Sequence, residues 1–387
     1  MGRPELTMKL TIERKALHEG LRKAQQVAER RGSIPILACA RLQASTDGRL
    51  QVAATNMDQH LKTSLPAEVE APGDVCVNLD RLATFAAGAP DGSQIAVRQG
   101  KDNLNLNAGS ARARIATLPS DQFPSWQDSK AKWRAGLRAG DLLTALGRTR
   151  WAESTEETRY YLNGVYIHRH DEATLRFVAT DGHRVHIAHA TPDGDMEWPD
   201  QNAAILPRFA VGILPKLLAE DGAVEVTGNE SRLRFAQDSV TFDTRLVEGS
   251  FPDYPRVIPA QPNTTVGVGR RELLAAVERV RPMADRKDNS VSLRFIFGRI
   301  QLAAQANDDP PSIIADAVEA DVPDQPPPDI SFNGGYLRQA LEALEGERVT
   351  IGLTDSASPA IWRGNADTHD LCVVMPRRDA FPELPED

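Results

Sequence analysis

A strand-like segment occurs three times in this chain at a constant spacing. The copies read GRLQVAATN, ATLRFVATD and GRIQLAAQA, and they start at positions 48, 173 and 298, which are 125 residues apart. Each copy alternates apolar and other side chains, as a half-buried β-strand does. An amphipathic helical stretch precedes each copy, and a second helical stretch and further strand-like segments follow it. A period this long corresponds to a whole domain, so we predict an α+β fold of three tandem modules, each with two helices and an antiparallel sheet.

Polar stretches separate the three modules, which we place at residues 1–127, 134–258 and 262–387. The last module ends in a short charged tail. With 41% hydrophobic and 26% charged residues, the composition is that of a globular protein. The three cysteines, Cys39, Cys76 and Cys372, are odd in number and far apart, which excludes a disulfide framework and a CxxC metal site.

Composition and motifs also limit the location and chemistry of the chain. No apolar run approaches the ~20 residues that span a bilayer, and the N-terminal residues contain no apolar signal core, so we expect a cytoplasmic protein without membrane contact. The net charge of −9 argues against nucleic-acid binding unless the basic residues concentrate on one surface. We expect no cofactor and no catalytic residue, because the sequence has no GxxxxGK[ST] loop, no GxSxG elbow and no GxGxxG motif.

Four motifs follow one another along the chain: TRYYLNG at Thr158–Gly164, VATDGHR at Val178–Arg184, LVEGSFPDYPRVIP at Leu246–Pro259 and VVMP at Val373–Pro376. On these motifs and the repeat, the chain resembles the beta subunit of bacterial DNA polymerase III, the beta sliding clamp, over nearly its whole length. The resemblance implies a non-catalytic processivity factor whose modules close head to tail into a dimeric DNA-clamp ring. It implies as partners double-stranded DNA without sequence preference, a clamp loader, the DNA polymerase III alpha subunit, and other polymerases, ligase and mismatch-repair proteins that carry clamp-binding peptides.

Two of the helical stretches expected to line the ring are more basic than the chain as a whole. Glu13–Arg31 and Arg270–Lys287 each hold six Lys or Arg residues against three acidic residues. A protein that slides on DNA must contact phosphates with mobile cations and avoid base edges. The candidate phosphate contacts read from the helical stretches are Arg22, Lys23, Arg148, Arg150, Arg279 and Arg281. The resemblance adds Arg31, Tyr160, Tyr161 and Arg208. The basic residues also fit ordinary solvated helix faces, and the tyrosines also fit a core.

The resemblance further implies a cleft between the second and third modules that receives partner peptides. Such a cleft needs apolar walls and a few polar groups that orient the peptide. The polar rim would consist of Arg184, Arg256, Asn333 and Tyr336, and Met375 would adapt to varied guests. The matching positions are Leu162, Thr180, Gly182, His183, Arg184, Val185, Pro252, Arg256, Val257, Asn333, Tyr336, Val373, Val374, Met375 and Pro376. Taken singly, each also fits core packing or a turn.

The expected subunit interface and the C-terminal tail both depart from the family pattern. On the closing strand, Ala113 stands where the family often has an aromatic residue, between Arg112 and Arg114. The opposing module offers Met283 and the pair Asp308 and Asp309. We expect a homodimer with little apolar burial at this contact. After Pro376 the charged residues Arg377, Arg378 and Asp379 replace apolar ones, and we hypothesise that this tail alters or partly covers the partner cleft.

Three other functions stay open from the sequence. The altered tail also fits a specialised second copy of the clamp. A metal-dependent hydrolase could use the segment His168–His189, which holds five histidines (His168, His170, His183, His186 and His189) and Asp181. Against a metal site, no HExxH motif is present, and the spacing of His168 and His170 in a strand predicts that both lie on one exposed face. A repeat-built scaffold that does not bind DNA would lack basic inner helices.

Overall fold

The same order of elements recurs three times along the chain. A computed structural model describes residues 7–29, 31–126, 130–200, 203–309, 311–366 and 369–384. Each module contains a strand, a helix, four strands, a helix and three strands, and the first module has one additional strand before its second helix. The predicted three-module α+β fold is therefore confirmed. Arg30 and residue 127, the predicted end of the first module, lie outside the described residues.

The helices and strands have the following bounds. The helices are α1 (Arg14–Ala24), α2 (Leu79–Gly88), α3 (Ala139–Thr149), α4 (Arg208–Leu217), α5 (Arg270–Val280) and α6 (Gly334–Ala343). The strands of the first module are β1 (Lys9–Glu13), β2 (Cys39–Ser45), β3 (Arg49–Thr55), β4 (Gln59–Pro66), β5 (Glu68–Ala71), β6 (Gly73–Asn78), β7 (Gln94–Gln99), β8 (Asn103–Ala108) and β9 (Ala111–Leu118). Those of the second are β10 (Trp133–Arg138), β11 (Gly164–Asp171), β12 (Thr174–Thr180), β13 (Arg184–Ala190), β14 (Ala204–Pro207), β15 (Ala223–Asn229), β16 (Arg232–Gln237) and β17 (Val240–Arg245). Those of the third are β18 (Thr264–Gly269), β19 (Ser290–Ile296), β20 (Arg299–Ala306), β21 (Ser312–Asp321), β22 (Ile330–Asn333), β23 (Arg348–Leu353), β24 (Ala360–Gly364) and β25 (Leu371–Val374).

The strands form two continuous sheets, one in each of two compact units. The first unit comprises residues 1–140, 192–198 and 212–246, and its 13 strands follow the order β10-β15-β16-β17-β4-β3-β2-β6-β9-β8-β7-β1-β5. The second comprises residues 141–191, 199–211 and 247–387, and its 12 strands follow the order β14-β11-β12-β13-β25-β24-β23-β18-β21-β20-β19-β22. The central module therefore contributes strands to both sheets.

Two strand pairs join neighbouring modules into these sheets. In the first unit β17 pairs antiparallel with β4, and Phe242 lies opposite Leu61. In the second unit β25 pairs antiparallel with β13, and Cys372 lies opposite His186. In both pairs, the last strand of one module meets the third strand after the first helix of another module. The two junctions are thus copies of one arrangement.

The helices cover the sheets with amphipathic faces. In α5, Leu273, Ala276, Val277 and Val280 are buried at helical spacing, and they belong to the core of the third module. The side chain of Asn333 caps the start of α6 by accepting hydrogen bonds from the amides of Gly335 and Tyr336. Asn78 caps α2 in the same way.

The first residue of α1 and of α5 is an arginine that fastens the two helices of its module together. Arg14 donates hydrogen bonds to the carbonyls of Ala86 and Ala87 at the end of α2. Arg270 donates to the carbonyls of Leu341 and Gly346 around the end of α6. The negative end of the helix dipole also stabilises a cation at these carbonyls. Both arginines were part of the basic stretches, and both have a structural role.

The basic stretches are only partly helical, contrary to the prediction. Helix α1 ends at Ala24 and α5 ends at Val280, so Arg31, Arg286 and Lys287 lie in the irregular segments that follow. A turn follows α1, and a short 3-10 turn with Pro282 follows α5. The missing amide hydrogen of proline limits continuation of the helix there.

Trp362 tests the packing of the third module. This side chain is fully buried and meets the Phe332 ring edge-on, with ring centroids 5.8 Å apart. Trp362→Ala should lower the free energy of unfolding by about 3–5 kcal/mol, because it leaves a large cavity. Trp362→Phe should cost clearly less, since it keeps a ring and removes an indole N–H that has no hydrogen-bond partner in the described chain. Urea denaturation followed by circular dichroism measures both, and equal losses would contradict the packing described here.

Candidate functional site

The segment that carries Tyr160 and Tyr161 is held beside the start of α4. The amide of Ser154 donates to the carbonyl of Leu162 at 3.0 Å, and the amide of Arg208 donates to the carbonyl of Asn163 at 3.0 Å. Tyr160 is 54% exposed and packs edge-on against Tyr161, with centroids 5.9 Å apart. Tyr160 is therefore not a core residue. Its exposed ring and the cation of Arg208 belong to one locally ordered surface.

A buried carboxylate lies behind the arginines of this surface. The side chain of Glu153 is 3% exposed, and its Oε2 atom lies 3.7 Å from Nε of Arg208, whose side chain is 57% exposed. Burial raises the pKa of Glu153 to about 7, and Arg208 and Arg150 offset part of this effect. Arg150 is exposed, and its guanidinium carbon lies 5.4 Å from the ring centroid of Trp151.

The candidate cations in and after α1 and α5 differ in their accessibility. Arg22 and Arg31 are exposed. Burial lowers the pKa of Lys23, and the neighbouring Glu19 and Asp238 offset part of that effect. Arg279 is paired with Asp316, with Nη2 and Oδ2 2.6 Å apart. Arg281 is half-buried, and its aliphatic stem fits against Gly334, where a Cβ would lie 2.9 Å from its Cγ.

Arg148 has a structural role instead of the predicted DNA contact. Its side chain is largely buried, and its two terminal nitrogens pair with Asp370 and Glu345. Asp370 is itself buried and also accepts hydrogen bonds from the amide and ring of His189. Removing Arg148 would leave buried carboxylate charge uncompensated. We therefore exclude it from the candidate DNA surface.

A groove on the second unit unites part of the predicted peptide cleft. It has a volume of about 380 Å³. The ring of Tyr336 lies nearly parallel to that of His183, with centroids 6.4 Å apart, and the amide of Met375 donates to the His183 carbonyl. The groove is lined by His183, Asn333, Tyr336, Met375, Pro376, Arg377, Arg378 and Asp379. Its walls are thus aromatic and apolar, and its rim carries both charge signs.

Arg184 was predicted to lie at the rim of this cleft, but the structure places it in the interior. The guanidinium Nε donates to Asp181 at 3.0 Å, and the terminal nitrogens donate to the Gln339 side chain and the Trp151 carbonyl. The same group lies over the ring of Tyr336, 4.2 Å from its centroid. A cation that is buried this deeply requires such a full set of partners. Arg184 therefore supports the groove from below.

The other predicted cleft residues divide into core, turn and surface positions. Leu162, Val185, Val373 and Val374 are buried. Gly182 has a φ of +89°, which favours glycine, in a turn closed by a hydrogen bond from the Thr180 hydroxyl to the Arg184 carbonyl. The exposed positions are Pro252, Arg256 and Val257. They flank Phe251, Tyr254 and Ile258, which pack on the cluster that contains Val185 and Val373.

The described part of the C-terminal tail is held along β22. The amide of Arg377 donates to the carbonyl of Ser331, and its guanidinium pairs with Asp288 and Asp379. Further on, the ring of Phe381 stacks under the guanidinium of Arg294 at 4.0 Å. The tail thereby lines one side of the groove without filling it. Residues 385–387 lie outside the described residues.

The histidines do not form the metal site considered from the sequence. His168 is buried and bonds the Tyr254 hydroxyl, so the prediction of one exposed face with His170 is wrong. Both ring nitrogens of His189 are engaged, one by Arg176 and one by Asp370. Burial lowers the pKa of His186 to about 4, which keeps it neutral. Within the described ranges, no three His, Cys, Asp or Glu side chains are arranged to hold a metal ion.

The predicted subunit-contact residues lie at two strand edges. In β9, residues 111–116 pair with β8 on one side, and only Thr117 and Leu118 pair with β6 on the other. In β21, residues 312–319 pair with β20, and only Ala320 and Asp321 pair with β18. Ala113 is half-buried between the exposed Arg112 and Arg114. Asp308 and Asp309 are exposed just before β21 in the sequence, and the exposed Met283 lies in the 3-10 turn that follows α5.

Comparison with known proteins identifies the family. Three domain families of the DNA polymerase III beta subunit match the chain: the N-terminal domain at residues 8–127, the central domain at 137–253 and the C-terminal domain at 255–378. The chain belongs to the DNA polymerase III beta subunit family. The resemblance seen in the sequence is thus confirmed.

Relatives and solved structures agree with this assignment over nearly the full length. The beta sliding clamp of Caulobacter vibrioides is 33% identical over 378 residues, which cover 96% of this chain and all of the relative. That of Vibrio cholerae is 30% identical over 376 residues, with coverage of 96% and 100%. The solved clamp of C. crescentus has a TM-score of 0.90 at 32% identity, covering 97% of this chain and 100% of that one. A sliding clamp from Bartonella birtlesii bound to griselimycin has a TM-score of 0.88 at 34% identity, with coverage of 96% and 100%.

These findings support the sliding clamp among the functions considered from the sequence. The relatives are sliding clamps, and the metal-dependent hydrolase is not favoured. None of the helices in the described ranges is long and apolar enough to cross a membrane. Sequence reasoning missed Glu153 and the exposed Trp151 and Phe209, although the last two adjoin the candidate residues Arg150 and Arg208. Their exposure had no signal in the sequence.

Arg184 and Arg256 form a matched pair for testing the groove. Arg184→Ala should lower the free energy of unfolding by about 3 kcal/mol or more, because it removes a buried side chain that binds Asp181, Gln339 and the Trp151 carbonyl and leaves the largely buried Asp181 carboxylate without its counter-ion. Arg256→Ala should change it by about 0.5 kcal/mol or less, since the Arg256 side chain is 84% exposed and pairs only with the exposed Asp253 in the described chain. Urea denaturation measures both variants. A small loss for Arg184→Ala would show that it does not support the groove.

Proposed function

We propose that the chain is a sliding clamp: a homodimer that closes head to tail around duplex DNA and tethers replication and repair proteins through its peptide groove. It carries out no reaction itself. The observation that supports this most strongly is the repeated strand junction. Two copies of it lie within the chain, between β17 and β4 and between β25 and β13. The equivalent strands for a third copy, between two chains, are β9 and β21.

The register of the proposed closure follows from the repeat. The hairpins close at Gln237 opposite Val240 and at Ala108 opposite Ala111, so Ala113 in β9 corresponds to Phe242 in β17. Leu50 and Ile300 are equivalent in the repeat, and they lie opposite Leu65 and Val318, so Val318 corresponds to Leu65. Four residues earlier on each strand, Ile314 in β21 therefore corresponds to Leu61 in β4. The observed pair of Phe242 and Leu61 therefore predicts Ala113 opposite Ile314 of a second copy, and Arg112 opposite Ala315.

This register also explains why we expect a weak closure. Where the internal junction places Phe242, the closure has only the methyl group of Ala113. At about 25 cal/mol per Å² of apolar surface, the smaller residue contributes much less to association. Closure would then depend more on backbone hydrogen bonds between the two strand edges.

The proposed DNA contacts are cationic and aromatic side chains that carry no base-reading geometry. Four arginines are exposed: Arg22, Arg31, Arg150 and Arg208. Tyr160 is also exposed, and its segment is bonded to the start of α4, where Arg208 lies. Lys23, Tyr161 and Arg281 are less accessible, and Arg279 is exposed but paired with Asp316, so these four stay secondary candidates. Contacts of this kind bind phosphates without sequence preference, and salt weakens them. Such weak contacts suit a protein that has to move along DNA.

The groove accounts for the proposed partners. The ring of Tyr336 and the side chains of Met375 and Pro376 can receive the apolar anchors of a linear peptide, and the charged rim can orient it. Proteins with a clamp-binding peptide, such as the DNA polymerase III alpha subunit, other polymerases, ligase and mismatch-repair proteins, are the expected occupants. A clamp loader would open the ring. We expect the protein to act in the cytoplasm.

Topological loading on DNA tests the proposed function. The protein is loaded onto nicked circular DNA by a clamp loader with ATP, unbound protein is removed in high salt, and the DNA is then cut once. We expect the protein to stay on the circle and to leave after cutting, because nothing but topology retains it. Blocking both ends of the linear DNA with bulky bound proteins is the control and should restore retention. Release from the uncut circle by salt alone would contradict the proposal.

A further inference from the structure

We propose that Glu153 competes with DNA phosphates for Arg208 and Arg150, and that it thereby sets the DNA affinity of the clamp and makes that affinity depend on protonation. This inference rests on the DNA contact proposed above for the two arginines. It concerns a residue that no sequence motif singled out.

The position of Glu153 makes it an internal competitor. Its amide donates to the carbonyl of Arg150 at 3.3 Å, and the neighbouring Ser154 is bonded to Leu162, so the backbone holds the carboxylate in place. Oε2 faces Arg208 from the interior, while more than half of the Arg208 side chain is open to solvent. A phosphate would therefore approach Arg208 from the side opposite to the carboxylate. The two anions would share one cation.

The second carboxylate oxygen shows that the site is not fully compensated. Oε1 of Glu153 is buried and has no hydrogen-bond partner in the described chain. A buried carboxylate with an unsatisfied oxygen costs free energy unless a proton or a cation compensates it. The described groups that act on its charge are Arg208 from α4 and Arg150 from the preceding 3-10 turn. If phosphates neutralise those arginines, the compensation is lost and a proton becomes the alternative.

The direction of the pH effect follows from these charges. Burial raises the pKa of Glu153 to about 7, so the group changes its charge near neutral pH. Above this value the carboxylate is ionised and offsets the positive charge that faces DNA. Below this value Glu153 is neutral, and both arginines act on phosphates without an internal competitor. DNA affinity should therefore fall as the pH rises through 7, and DNA binding near pH 7 should take up protons.

The substitution Glu153→Gln separates this effect from general titration of the protein. Binding of a short fluorescent duplex is measured by anisotropy at low salt between pH 6 and pH 8.5. For the unchanged protein we expect the dissociation constant to rise by up to about tenfold across this range, the change that one unit of pKa coupling gives. Glu153→Gln should bind about as tightly at pH 8 as at pH 6. Glu156→Gln is the matched control, because Glu156 is exposed in the same segment and pairs with Arg159, and it should follow the unchanged protein.

A second measurement needs no variant. Calorimetry of duplex binding at pH 7 in two buffers of different ionisation enthalpy gives the number of protons exchanged, and we expect net uptake. Identical pH profiles for the unchanged protein and Glu153→Gln, or no proton uptake, would overturn the inference while the clamp function stands. If the protein binds no duplex at any pH and also fails to load on circles, then the proposed function fails as well.

Discussion

The antiparallel pairing between the last strand of one module and the third strand after the first helix of another is the interaction on which the rest of the structure depends. It occurs between β17 and β4 and again between β25 and β13. Through these two junctions, the two strand groups of the central module each continue into the strands of a neighbouring module, and two long sheets result. Strands that pair in this way leave few free edges, which protects a β-rich protein from unspecific association.

The functional surfaces depend on buried charges that lie behind them. Arg184 supports the groove through Asp181, Gln339 and Trp151. Arg184 binds the carbonyl of Trp151, and Trp151 directly follows Arg150 in the chain. The groove and the Arg150 part of the candidate DNA surface therefore share a local framework in the second unit. Buried ionic groups of this kind fix side-chain positions at a cost in stability, and removing one partner is more harmful than removing both.

Much of the fold followed from the sequence because the repeat and the alternating strands are local patterns. The family motifs also placed His183, Tyr336 and Met375, which do meet at one groove. The roles of Arg148 and Arg184 did not follow. Arg148 binds Asp370, 222 positions away, and Arg184 binds Gln339, 155 positions away. An arginine that is exposed and one that is buried with a distant partner look alike in sequence. Only the fold shows which carboxylates and carbonyls it meets.

The burial of Glu153 could not be predicted for the same reason. In the sequence it is one of several acidic residues near Tyr160. Its burial results from the turn that brings Ser154 to Leu162 and from the start of α4 that brings Arg208 to Asn163. Neither contact has a residue pattern of its own. By contrast, the repeat could give the register of the proposed closure once two examples of the junction were known.

Disulfide cross-linking of that closure tests the account most directly. Arg112 and Ala315 are exposed within the chain, and the native cysteines are all buried. In the variant with Arg112→Cys and Ala315→Cys, the predicted register places the two cysteines of different copies directly opposite each other, with Cβ atoms about 4.5–5.5 Å apart, close to the ~3.5–4.5 Å that a disulfide needs. Mild oxidation should then yield a covalent dimer, whereas the pair Arg112→Cys and Glu319→Cys, shifted by four residues, should stay largely monomeric on a denaturing gel. Equal cross-linking of both pairs, or none in the first, would contradict the claim that one strand junction, used three times, builds the ring.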